Sequence, residues 1–166
     1  MDRTDVSLLF EHLYWVRDRI LDAAAAAPDA YTQAEPVTIR DLRATLVHEL
    51  DVEWSWRERL RGEHADVWGP EAELRPVDYP DLGSIAEHWH RDEVEMRAWI
   101  GAMSDADLLG PCRAEGTGDT HPLWYHLAHL YTHGLQQLSD AAVVLTRAGH
   151  SPGEIDFLEF IQHRSA

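Results

Sequence analysis

The stretch PLWYHLAHLYTHGLQQ, residues 122–137, carries histidines at 126, 129 and 133. Spacings of three and four on a 3.6-residue period bring all three within roughly 60° of one helical face. Imidazoles one turn apart can share a metal ion, because the i,i+4 pair is the geometry that zinc-binding helices use. His129, His133 and Gln137 form a stripe along one edge of the apolar face, each an i+4 step from the next. One helix cannot close a coordination shell, so a further donor must come from elsewhere. His48, in LVHELDVEW, lies beside Val47 and one turn from its apolar neighbours, a placement that faces a bundle interior rather than water. An inward histidine on one helix can therefore meet a histidine row on another. The competing reading is structural: among 11 histidines a few i+4 pairs arise easily, and a core histidine is usually hydrogen-bonded rather than ligated.

Asp51 and Glu53 lie within a turn and a half of His48. They are candidates for a general base or for a carboxylate partner to a ligating histidine, against the alternative of solvated surface acids. The HWH at 88–90 sends its histidines to different helix faces and reads as surface. His12, His64, His121, His150 and His163 carry no pattern. Cys112, in a loop, reads as a plain thiol. Neither GxSxG nor GxGxxG occurs.

Helices must position these residues, since four long apolar periodicities stand out and no segment alternates as a strand. The first begins near Thr4 and stops before Pro28. The second opens at Thr38, with Asp41 three residues on in the manner of a capping box, and runs to Gly62. About twenty residues, EHADVWGPEAELRPVDYPDLG, follow; that length suits a crossover between helices that are not antiparallel neighbours. The third starts at Ser84, with Glu87 completing a capping box, and reaches about Met103. The fourth has Pro122 in its first turn and ends at Gly149, with Pro152 beyond. EIDFLEFI closes the chain as a short helix. The pattern predicts an all-α, single-domain protein over 1–166: a four-helix bundle running up-down-down-up with a long crossover, plus a short C-terminal helix. At most a small hairpin falls in 110–121. Bundles of this kind build metal sites from side chains on facing helices.

Composition narrows the chemistry. The net charge is −16, from 30 acidic and 14 basic residues, and every basic residue is arginine. Without lysine there is no Schiff base, no pyridoxal anchor and no P-loop. An acidic surface repels phosphate backbones and anionic lipid, so neither nucleic acid nor membrane is expected as a partner. A single cysteine rules out an internal disulfide and suits a reducing, cytoplasmic compartment. No run of about 18 apolar residues occurs, and MDRTDVSLLF lacks a signal pattern. Seven tryptophans read as core packing or as the walls of a ligand pocket.

HELDVEWSWRERLRG, PLWYHLAHLYTHG and LTRAGHSPGEIDFLEFI together resemble the DinB-like superfamily, which includes bacillithiol- and mycothiol-dependent transferases. The likeness covers nearly the whole chain, and AGHSPGEIDF is its most specific part. It implies a homodimeric four-helix bundle with a divalent metal, zinc or nickel, held by one histidine on the second long helix and two on the last. His48 matches the first of these. The family's HxxNHxxxHR, counted back without gaps from Gly149, sets His129 on its first histidine, His133 on its second and Gln137 on its third. The second and third are the usual ligands, so Gln137 stands where the family has histidine, and Leu138 where it has arginine. An amide oxygen is a harder, neutral donor, poorer than imidazole for zinc or nickel. Three outcomes stay open: Gln137 completes a weaker site, His129 substitutes from one turn earlier, or the site is degenerate. The resemblance implies a metal-dependent S-transferase that joins a low-molecular-weight thiol such as mycothiol to a small electrophile. The rival is a non-catalytic bundle that binds a small molecule or partner.

Overall fold

Asp2 opens the first helix by a reciprocal cap: its carboxylate accepts from the Asp5 amide at 2.9 Å while the Asp5 carboxylate takes the Asp2 amide at 3.0 Å. Two of the donors that any helix start leaves free are thereby satisfied. The computed structural model describes residues 1–34, 36–37, 39–62, 72–113 and 120–165. Their helices are α1 (Arg3–Ala25), α2 (Ala30–Gln33), α3 (Leu42–Arg61), α4 (Leu82–Ala102), α5 (Asp105–Leu109), α6 (Leu123–Arg147) and α7 (Phe157–Arg164). The small strand pair allowed for in 110–121 is present, one residue longer: β1 (Pro111–Arg113) pairs antiparallel with β2 (Thr120–Pro122), Cys112 opposite His121, and Pro122 precedes the first turn of α6 rather than lying in it. The short helices α2 and α5 were not foreseen by periodicity, because four or five residues are too few to show it. Among the described residues no helix is long and apolar enough to cross a membrane.

Aspartates set the starts of α1, α3, α4 and α7. Asp41 caps α3 through the Ala44 amide at 2.7 Å, so α3 begins at Leu42; Thr38 lies outside the described residues. Asp81 caps α4 through the Ser84 amide at 2.8 Å. The helix thus starts two residues before the expected Ser84, whose hydroxyl instead donates to the Asp81 carbonyl at 2.7 Å. Glu87, expected to reach back to that cap, pairs forward with Arg91 at 2.7 Å. At the other end of α6, Gly149 takes φ +87°, and the His150 amide reaches back to the Leu145 carbonyl at 2.9 Å. This is the left-handed stop that glycine permits at least cost.

Cross-helix contacts give the directions. Arg3 meets Gly101 and Arg17 meets Glu93, so α4 runs against α1. Trp56 lies beside His129 while His48 faces His133, so α6 runs against α3. Glu53 meets Trp89 and Arg57 meets Asp92, which makes α3 and α4 parallel. His12 with Tyr131, and Pro28 sharing a recess with Ala148, make α1 and α6 parallel. The order is therefore up, down, down, up, with the α3–α4 crossover as the long connection. Around the bundle the helices follow the cycle α1, α6, α3, α4.

The core is apolar over most of its length, from Phe10 and Leu13 to Leu138 and Leu145. Where α1, α3 and α4 converge it turns polar. The buried Glu53 carboxylate accepts from the Tyr14 hydroxyl and from Trp89 Nε1, the latter at 3.0 Å. Arg57 donates to the Asp92 carboxylate and, at 3.0 Å, to its carbonyl. Arg17, also buried, pairs with Asp18 at 2.7 Å and with Glu93 at 2.5 Å. His12, to which the spacing assigned no role, is buried as well. Its Nδ1 meets the Tyr131 hydroxyl at 3.0 Å and its Nε2 the Ile155 carbonyl at 3.1 Å. Phe157 and Phe160 of α7 stand 5.3 Å from its ring. A carbonyl only accepts, so Nε2 carries the proton and Nδ1 accepts from the phenol. This neutral imidazole fastens the last helix to the first.

Candidate metal centre

The antiparallel pairing of α3 and α6 brings His48 and His133 together at mid-height. Their ring centres are 5.3 Å apart and the planes meet at 69°, edge to face. Two imidazoles that share a tetrahedral ion at about 2.0–2.1 Å each have ring centres roughly 5 Å apart, so the spacing suits a common ion. One nitrogen of His133 is already engaged: Nδ1 lies 2.7 Å from Glu49 Oε2. Its Nε2 is the nitrogen left for a ligand.

Above the pair, Trp56 is 5.3 Å from the His129 ring and 5.9 Å from that of His126. His129 is exposed and stands 6.1 Å from the His133 ring. His126 is turned toward the hairpin, its Nε2 3.4 Å from the Cys112 carbonyl. The three histidines of one helical face thus part company: one joins His48, one flanks the site beside Trp56, and one packs on the hairpin. Gln137 is half-buried, one turn beyond His133 on α6.

The two carboxylates singled out near His48 have other hydrogen-bond partners. Asp51 accepts from the Leu74 amide at 2.8 Å and so pins the end of the crossover to α3. Glu53 is 1% exposed, with one oxygen on Tyr14 and the other on Trp89, so it is a core residue rather than a solvated acid. HWH likewise divides: His90 is exposed, whereas His88 is half-buried with Nδ1 2.7 Å from the Tyr79 hydroxyl. Cys112 is a free thiol whose pKa burial pushes up, in keeping with an inert role.

Electrostatics favours neutral imidazoles. Burial, then the neighbouring His48, His129 and Arg40, depresses the His133 pKa to about 4. Burial and then Arg40 lower that of His48, with Glu73 opposing. Neutral imidazole is the form that binds metal. Glu49 is 1% exposed, and burial followed by the charge of Glu53 one turn on raises its pKa well above the carboxylate range.

Among the described residues no three His, Cys, Asp or Glu side chains converge as a metal-ligand set. The donors present therefore fit a divalent ion at two protein positions, His48 and His133. Further positions fall to a neutral donor, of which the Gln137 amide is the one on the same stripe, or to an exogenous ligand. Glu49 was missed by sequence reasoning, yet a signal existed. Leu42, Leu46, Glu49, Leu50 and Glu53 follow helical spacing, so two acids sit on the stripe that must be buried.

A cavity of about 860 Å³ opens on the opposite edge of the bundle, between α1, α2 and α4, lined among others by Leu21, Asp22, Tyr31, Ala86 and His90. It holds neither the paired imidazoles nor Glu49, so the chemistry of the donors puts the candidate site between α3 and α6. Among known proteins, the family model described as the DinB family matches residues 1–165. No curated protein matches the chain.

Proposed function

The chain belongs to the DinB family, and on that premise we propose that it binds a divalent ion, zinc or nickel, between His48 and His133 and acts as a metal-dependent S-transferase. Its substrates are a low-molecular-weight thiol of the mycothiol type and a small electrophile. The observation that carries this reading is the edge-to-face imidazole pair, 5.3 Å between centres, with His133 Nδ1 already occupied. When bound, such an ion lowers the pKa of a coordinated thiol or water and so supplies a nucleophile near neutral pH. The chain's own residues do the rest. His48 and His133 offer neutral nitrogens without first having to lose a proton at pH 7. Gln137 contributes an uncharged amide, and Trp56 with His129 walls the approach from one side. A homodimer belongs to the same reading.

Zinc titrated calorimetrically into the chelator-stripped, untagged protein tests it. Wild type binds one ion per chain, and His48→Ala and His133→Ala each abolish binding. Mycothiol transfer to a fluorogenic bimane electrophile then appears only in the metal-loaded wild type. Zinc binding without turnover for a panel of electrophiles supports the rival, a binding bundle with a degenerate site, which the absence of a third ionisable ligand among the described residues favours.

A further inference from the structure

Glu49 is a buried acid whose hydrogen bond among the described residues is made to a candidate ligand, through Oε2 and His133 Nδ1 at 2.7 Å. No arginine pairs with it there, in contrast to Asp92 and Glu93 in the same core. A buried carboxyl without a cationic partner is costly, and an apolar residue of similar volume would pack at least as well. Fold alone does not account for it.

The helix opposite makes room for it. Gly134 lies in the interior of α6, where glycine weakens a helix. A Cβ at that position would come 2.6 Å from Glu49 Oε1 and 2.8 Å from Leu13 Cδ1. Real side chains do not approach so closely, so any other residue at 134 would displace the carboxyl group or Leu13. Glu49 and Gly134, on different helices, therefore form one device beside His133. A side chain fills the gap that a missing side chain leaves.

We propose that Glu49 is a positioning residue: seated against Gly134, it grips His133 Nδ1 and so turns Nε2 of that ring toward the ion shared with His48. This rests on the metal reading of the same site. A carboxylate behind a ligating imidazole fixes the ring's tautomer and orientation and raises its basicity. The hydrogen bond runs from Nδ1–H to the carboxylate whenever Nε2 is ligated.

Zinc affinity and metal-free melting temperature, measured on the same variants, test this. Glu49→Leu removes the acceptor, and zinc binds about tenfold to a hundredfold more weakly, while the metal-free protein melts no lower than wild type. Glu49→Gln keeps an acceptor oxygen without the charge and falls between the two. Gly134→Ala retains every donor but displaces Glu49, and loses zinc affinity as Glu49→Leu does. In zinc-loaded protein labelled with ¹⁵N, wild type shows a slowly exchanging proton on His133 Nδ1 that Glu49→Leu lacks. Unchanged zinc affinity in Glu49→Leu, or an unchanged Nδ1 proton, overturns the assignment of Glu49 and leaves the metal site standing. Failure of wild type to bind zinc at millimolar concentration overturns the metal reading itself, and this assignment with it.

Discussion

At the scale of single residues, the strength of the proposed site turns on Gln137. If the register that aligns it with a family ligand holds, Gln137→His supplies a third imidazole in place of a neutral amide. Zinc or nickel binding then tightens tenfold or more, at least about 1.4 kcal/mol. His129 stands one turn, about 5.4 Å, the other way along the helix, and His129→Ala has much less effect; calorimetric titration of both variants checks the pair. His133 sets a pH dependence. Its folded pKa, about 4, lies below the ordinary histidine value, so the unfolded chain takes up the proton first. Stability is therefore lost as pH falls from about 6.5 to about 4, on the order of 3 kcal/mol. In chelator, His133→Gln should give a flatter stability curve across that window, read from urea midpoints. The pairing of His48 with His133 was legible because both sit at helix positions that periodicity assigns to a buried edge. Glu49 could be read from the same spacing only as a buried acid, and its partner Gly134 not at all, since a lone glycine acquires meaning only when two helices are brought face to face.

At the scale of elements, the four long helices could be read from apolar spacing alone, while their first residues could not. Ser84–Glu87 satisfies a capping-box pattern, yet the observed cap of α4 is Asp81, as that of α3 is Asp41. The pattern cannot say which of two nearby polar residues adopts the extended backbone that a cap needs. The assignment has a consequence for stability. Asp41→Ala removes the acceptor from the Ala44 amide and costs about 1 kcal/mol, measurable as a lower urea midpoint with an unchanged slope. The same reasoning separates Asp51 from Asp41: both are acids on α3 or at its start, but Asp51 holds the crossover through Leu74 rather than the helix itself.

At the scale of the whole molecule, the all-α topology followed from the number of helices and the length of the crossover, and the cross-helix contacts agree with it. What spacing could not reveal was how much charge the bundle buries. Arg17, Glu53, Arg57 and Asp92 are each embedded where three helices meet, and spacing marks only Glu53 among them, without its partners. His12 belongs with these, because its partners Tyr131 and Ile155 lie far along the chain. His12→Ala leaves the phenol and the carbonyl without partners and empties the space between Phe157 and Phe160. A loss of about 2–4 kcal/mol is expected, with amide exchange in 155–165 accelerating before the rest of the bundle opens.

The parallel pairing of α1 with α6 also sets a timetable for synthesis. His12 and Tyr131 are 119 residues apart, so at ribosomal rates of about 5–20 residues per second the first helix waits roughly 6–24 s for that partner. Meanwhile α1, α3 and α4 can assemble around Tyr14, Glu53 and Trp89 as an open trough, with Leu13, His48 and Glu49 along its unroofed side. A ribosome stalled before residue 123 would display this trough as a chaperone target. The pairing of His48 with His133 has to wait for the last long helix to emerge.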